Sequence, residues 1–285
     1  MTNISTLLKL NDVTFSYTKS QAPLLKAINL KICSGEKIGI VGDNGCGKST
    51  LVKLLLGLQH PNRGDVKLFG KTVLWRNYYP QLGYIGDPSF SPGETGLPTG
   101  ISVGEVVHSF ESFWKSSYKS LRSELIERLE LYKLFSRDVS KLSNGERKKL
   151  MAFLALGKET KLLIADEATE GLDKNAKPIV IDLVKQAAKK EEFAVLWISH
   201  RRDEIALLTD KVYELSPDEE RKGKLVELPI QGFDCEVEAI GSTSNSGHYQ
   251  NLNLDGLAST IGEIWLNPSL TSFKVTGTKN ISRCK

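Results

Sequence analysis

The sequence predicts an α/β fold built on a mostly parallel central sheet. Short apolar runs rich in branched residues alternate with longer amphipathic stretches, the pattern of strands joined by covering helices. Three of those runs, residues 37–41, 162–165 and 194–198, are apolar almost throughout, as strands buried on both faces are. The first of them passes through a glycine-rich turn straight into a helical segment at residues 51–56.

In chain order the candidate strands are residues 37–41, 66–69, 82–85, 162–165 and 194–198. Residues 86–100 carry Pro88, Pro92, Pro98, Gly93 and Gly96, which makes them a loop. A loop of that length in a compact domain is as a rule functional or mobile. From residue 101 the pattern turns helical, with apolar positions at Val103, Val106, Val107 and Phe110 and again at Leu121, Leu125, Leu129, Leu131 and Leu134. This predicts a helical insertion over about residues 101–157. Beyond Leu215 the composition shifts: residues 216–223 are polar and charged, and residues 241–247 are rich in Gly, Ser and Asn. With strand-like runs at 224–228 and 273–276, residues 216–285 read as a small β-leaning appendage to a main domain spanning residues 1–215.

The 285 residues suffice for one large or two modest domains. Hydrophobic residues at 40% and charged residues at 25% exclude a disordered or collagen-like chain. The longest apolar runs, 150–156 and 193–198, are seven and six residues, far short of the ~20 that cross a bilayer. A net charge of +4 is too weak a bias to argue for a nucleic-acid or anionic-membrane partner, and no nucleic-acid partner is expected. Cys33, Cys46, Cys235 and Cys284 lack C-x-x-C spacing, and the N-terminal residues show no basic segment followed by an apolar run and cleavage site, so reduced thiols and a cytoplasmic location are expected.

The chemistry begins where the run ending at Val41 gives way to Gly42-Asp43-Asn44-Gly45-Cys46-Gly47-Lys48-Ser49-Thr50. The glycines let successive N–H groups turn inward around phosphate oxygens, and the helix N-terminus adds positive potential. Lys48 would reach β- and γ-phosphates and the Ser49 hydroxyl would ligate Mg²⁺; a ligand-free turn is the bland alternative. Asp166 and Glu167 close the run 162–165, at the end of a buried strand where ligands collect in open α/β sheets. Asp166 is suited to the Mg²⁺ shell and Glu167 to polarising an attacking water, although two acids there could also only cap a helix. Leu142-Ser143-Asn144-Gly145-Glu146 starts a helix, with Ser143 as N-cap and Glu146 at the capping-box position. Gly171-Leu172-Asp173 and His200 are weak signals taken singly.

Together and in this order, over residues 8–215, these segments resemble the nucleotide-binding subunit of ATP-binding cassette (ABC) transporters, a P-loop ATPase fold with mixed sheet and a helical signature subdomain. Residues 42–50 resemble the Walker A motif, 162–167 Walker B, 142–146 the ABC signature, 171–173 the D-loop, and His200 the switch histidine. Ser143 precedes Asp166 by 23 residues, the short spacing typical of that family. Residues 13–17 are similar to its N-terminal strand, which makes Tyr17 the aromatic that stacks on adenine.

The resemblance implies ATP hydrolysis, with Glu167, His200 and Lys48 as catalytic groups. It implies ATP on residues 42–50 and Tyr17, Mg²⁺ on Ser49, Asp166 and Asp87, and completion of the site by Ser143 and Gly145 of a second copy in a head-to-tail homodimer. It also implies a separate integral membrane subunit driven by dimer closure and a peripheral location at the inner face of the membrane. Asp87 stands where the family usually has glutamine, Asn144 and Glu146 where it has Gly and Gln, and Ala168 where it has Pro. The acid at residue 87 is similar to exporter-type, ABC-2-like subunits and makes export the expected direction. A soluble ABC ATPase of translation or DNA repair is the alternative. Cys46, inside the electropositive loop, is expected to have a lowered thiol pKa and to be protected by MgATP.

Overall fold

The computed structural model describes residues 5–18, 22–74, 80–87, 97–98, 100–215, 223–228, 234–241, 247–252 and 270–278. Strands β1 (Thr6–Phe15) and β2 (Leu25–Cys33) form an antiparallel pair; β3 (Lys37–Val41) opens the central sheet and α1 (Lys48–Leu55) follows it. Strands β4 (Arg63–Leu68) and β5 (Lys71–Thr72) return to the first pair, giving a four-stranded antiparallel sheet in the order β2-β1-β4-β5. Strand β6 (Leu82–Ile85) lies in the central sheet, ahead of helices α2 (Val103–Phe113), α3 (Lys119–Arg128) and α4 (Asn144–Leu156). Strand β7 (Leu162–Asp166), helix α5 (Ala176–Ala187), β8 (Ala194–Ser199), α6 (Arg202–Leu208), β9 (Lys211–Leu215) and β10 (Leu225–Leu228) complete it, in the order β10-β9-β3-β8-β7-β6. Strands β11 (Asp234–Gly241), β12 (Gly247–Leu252) and β13 (Leu270–Thr278) form a separate antiparallel sheet, β12-β11-β13.

Strands β9, β3, β8, β7 and β6 run parallel, and only the edge strand β10 is antiparallel. Every residue of β7 and β8 is buried, and a strand covered on both faces carries no charge, so the two runs are uncharged up to Asp166 at the end of β7. The run at 66–69 is a strand too, but it sits in the antiparallel sheet, where alternate residues such as Lys67 face solvent. Strand β2 escapes a search for continuous apolar runs because it alternates: Leu25, Ile28, Leu30 and Ile32 are buried while Ala27, Asn29 and Lys31 are exposed.

Within residues 101–157 the three helices are joined by short 3₁₀ turns at Ser116–Tyr118, Leu131–Leu134 and Val139–Lys141. Helix α4 packs against β6, so this end of the insertion rests on the central sheet, and Leu150, Met151 and Phe153 are among its buried residues. Ser143 caps α4 by accepting from the Glu146 amide at 3.2 Å while Glu146 Oε2 accepts from the Ser143 amide at 2.9 Å.

The boundary expected at Leu215 falls between two hydrogen-bonded strands. Leu225 pairs with Leu215, so residues beyond the expected boundary supply an edge strand of the central sheet. The polar break at 216–222 and most of the loop 86–100 lie outside the described residues. No helix among the described residues is long and apolar enough to cross a membrane.

Candidate active site

Parallel pairing brings the carboxyl ends of three strands to one line: Val41 of β3 is level with Ser199 of β8, and Asp166 of β7 with Ile198. The residues that follow those ends, 42–47, Glu167 and His200, therefore meet at one edge of the sheet, where an open α/β fold collects its ligands. Gly47, the N-cap of α1, has φ 112°, a conformation a side chain would strain. That turn aims the first amides of α1 back into the loop, and Lys48, Ser49 and Thr50 form its first turn.

The Lys48 ammonium donates to the carbonyls of Gly42 at 2.6 Å and Asp43 at 3.0 Å and lies 3.9 Å from Glu167 Oε1. Glu167 is held from the other side. The His200 amide donates to its Oε1 at 3.0 Å, His200 Nδ1 lies 2.9 Å from the same oxygen, and the Ser199 hydroxyl donates to Oε2 at 3.1 Å. Glu167 itself has φ 45°, a left-handed backbone that costs a non-glycine residue of order 1–3 kcal/mol and is found where surrounding contacts impose it.

Two clefts adjoin at this edge. The first, about 310 Å³, is lined by Asn44, Gly45, Gly47, Lys48, Ser49, Thr50, Asp166, Glu167 and His200 among others. The second, about 670 Å³, is lined by Ser49, Asp87, Asn144, Lys148, Asp166, Glu167, Glu170 and Gly171. Tyr17 lines neither cleft but adjoins the first, 55% exposed, with its hydroxyl 2.9 Å from Thr50 Oγ1 and its ring edge-on to Phe15. Ser143 and Gly145 line neither cleft. A Cβ on Gly145 would stand 2.5 Å from the Gly171 carbonyl oxygen, so the glycine lets the start of α4 lie directly on the turn after Glu167.

A family model described as "ABC transporter" matches residues 25–170, just over half of the chain. The chain belongs to the ABC transporter family. It is 27% identical over 275 residues to the energy-coupling factor transporter ATP-binding protein EcfA1 of Mycoplasma pneumoniae, covering 93% of this chain and 98% of the relative. It is 29% identical over 220 residues to the high-affinity zinc uptake system ATP-binding protein ZnuC of Bacillus subtilis, covering 75% of this chain and 92% of the relative. A solved ATP-binding subunit of an ABC transporter shares its fold, with TM-score 0.65 at 21% identity over 90% of this chain and 99% of the other. This ABC protein is an ATP-binding transporter subunit and an ATPase.

The ABC site offers hard oxygen donors at one place, since Ser49, Asp166 and Asp87 line the same cleft. Burial, reinforced by the adjacent Glu167 charge, pushes the Asp166 carboxyl up to about 7. A divalent cation would relieve both effects, so these residues fit Mg²⁺, which takes one or two carboxylates beside substrate phosphates and water.

The expected activation of Cys46 is overturned. Burial raises its thiol pKa, and the opposing attraction of Lys48 does not outweigh it. Cys46 is half-buried, and its Sγ lies 2.7 Å from where a Cβ on Gly42 would be, so the thiol packs against the start of the loop. Iodoacetamide at pH 8 should accordingly label Cys46 more slowly in the native ABC chain than in the same chain unfolded in urea, as read by peptide mass mapping. Equal rates would mean that the thiol is free and reactive.

Five residues around the site lay outside the sequence reading. Ser199 holds Glu167, and Lys148 donates to its backbone carbonyl. Behind His200, Arg201 Nε lies 3.0 Å from Glu204 Oε1, which also accepts from the Thr169 hydroxyl. The one signal for the last pair is the density of charge in residues 201–204 directly after an apolar strand; Ser199 and Lys148 have no local signal at all.

Proposed function

We propose that this chain hydrolyses ATP to ADP and phosphate and drives a separate integral membrane subunit by closing head-to-tail on a second copy of itself. The observation that carries the reading is the convergence of Lys48, Asp166, Glu167 and His200 on one edge of the sheet, while Ser143 stands on a capped helix outside both clefts. Lys48 exchanges its two carbonyl partners for the β- and γ-phosphates. Tyr17 offers its exposed ring to the base. Glu167 accepts the proton of the attacking water, and His200 and Ser199 keep its carboxylate aimed. Ser49, Asp166 and Asp87 hold Mg²⁺, which when bound neutralises charge on the phosphates.

The N-terminus of α4, carrying Ser143 and Gly145, directs partial positive charge at the γ-phosphate held by the other copy. Hydrolysis then releases the pair. The membrane subunit anchors the ATPase at the inner face of the membrane. Export, expected from Asp87, draws no support from the relatives, among which ZnuC is named for zinc uptake. The transport relatives likewise give no support to a role in translation or DNA repair.

The test is complementation. A Lys48→Ala chain and a Ser143→Arg chain are each expected to be inactive, and a mixture should regain up to about a quarter of wild-type turnover, because random pairing yields one composite intact site in half of the dimers. An inactive mixture whose chains still pair would refute completion of the site in trans.

Residues 1–215 supply every group invoked above, and we assign residues 216–285 to dimerisation or regulation, with β10 serving also as a sheet edge. The backbone of β13 lies beside α6. Deleting residues 229–285, which leaves β10 in place, should preserve ATP affinity by calorimetry while changing dimer affinity in sedimentation. An insoluble truncated chain would instead make this segment part of the cassette core, since roughly 60 residues are marginal alone.

A further inference from the structure

We propose that Lys148 is a positioning residue for Glu167, holding the backbone of that residue to the signature helix of the same chain. The proposal rests on the reading of Glu167 as the group that accepts the proton of water.

Lys148 projects from α4 and is only 8% exposed. Its ammonium donates to the backbone carbonyl of Glu167. The same carbonyl accepts the Glu170 amide at 3.0 Å, so both of its lone pairs are engaged. On the other side of the residue, the Glu167 amide donates to the Ile198 carbonyl at 2.9 Å. Glu167 is thus gripped at its amide, its carbonyl and its carboxylate, and it needs to be, because its φ of 45° is a conformation that a glutamate leaves when released.

A buried amine is costly unless it is paired. Lys148 meets that requirement with the carbonyl and with the nearby negative charges of Glu170, Glu167, Asp166 and Glu204. It also lines the cleft that holds Ser49, Asp87 and Asp166, so it acts inside the site rather than as a remote tether. If the grip is lost, the peptide following Glu167 can turn and carry the carboxylate away from the line set by Ser199 and His200. Small displacements of a reacting group cost large factors in rate while leaving the binding of substrate intact. Because α4 also starts with Ser143 and Gly145, any tilt of this helix is felt at Glu167 of its own chain.

The test compares Lys148→Met, which keeps the apolar stem without a donor, with Lys148→Arg, which keeps donors and charge, in the full chain. Lys148→Met should lower kcat for ATP hydrolysis about tenfold with KM for ATP within about twofold of wild type, and Lys148→Arg should recover most of the turnover. In a Glu167→Gln background, Lys148→Met should take nothing further from the residual single-turnover rate, because it acts through Glu167. A wild-type kcat for Lys148→Met, a loss shared equally between kcat and ATP affinity, or an undiminished extra loss in the Glu167→Gln background would each overturn the proposal. If Lys148→Met is too unstable to assay, Lys148→Leu, which likewise fills the apolar space without a donor, is judged by the same criteria. Full activity of Glu167→Gln itself would overturn the reading of Glu167, whereas an inactive Glu167→Gln beside a fully active Lys148→Met overturns only the role of Lys148.

Discussion

Glu167→Gln is expected to bind MgATP with near wild-type affinity and to hydrolyse it about 10²–10⁴-fold more slowly, the range for removal of a general base. The amide keeps the shape of the carboxylate and can still meet Ser199 and the His200 amide, which hold the two oxygens at 3.1 and 3.0 Å. The phosphate loop and Lys48 are untouched, so nucleotide still binds and still draws two copies together, while the water has lost its proton acceptor. Size-exclusion chromatography with MgATP should show a stable dimer, and phosphate release should be close to background. A variant that turns over at the wild-type rate would remove Glu167 from the chemistry and leave its network with Ser199 and His200 as a structural clasp.

Lys48→Ala is expected to act earlier, weakening ATP binding itself by about 10- to 100-fold, the equivalent of losing charge-assisted hydrogen bonds worth about 1.5–3 kcal/mol. Two local effects add to this. The carbonyls of Gly42 and Asp43 lose the donor that fills the loop at 2.6 and 3.0 Å, and the paired acids Asp166 and Glu167 lose one of the two buried cations that attract them. Calorimetric titration with ATP separates this outcome from that of Glu167→Gln. Unchanged affinity would mean that the backbone amides of residues 42–50 and the start of α1 hold the phosphates unaided.

The phosphate loop could be read from the sequence because its function is local. Nine consecutive residues carry the glycines, the lysine and the hydroxyls, and the strand before and helix after them show in short-range patterning. The buried strands β3, β7 and β8 were equally legible, since burial on both faces leaves a run with no polar break. Strands that alternate, such as β2, were not, because each buried Leu or Ile is separated from the next by a solvent-facing residue. Cys46 was misjudged for a related reason: its neighbours in sequence raise the local potential, but its partial burial, the largest influence on the thiol, comes from the way the loop folds and sets Sγ against Gly42.

What the sequence determined by itself is the α/β core, the loop at residues 42–50, the acids at the end of β7 and the capped start of α4, each encoded within a dozen residues. Tertiary structure alone decided that Ser199, His200 and Lys148, separated from Glu167 by 32, 33 and 19 positions, meet on that one residue. It also decided that an edge of the main sheet comes from residues beyond 215. The physical reason is that parallel strands are joined by long crossovers. Residues whose strand ends coincide are therefore far apart along the chain, and only the pairing register, Val41 with Ser199 and Asp166 with Ile198, makes them neighbours.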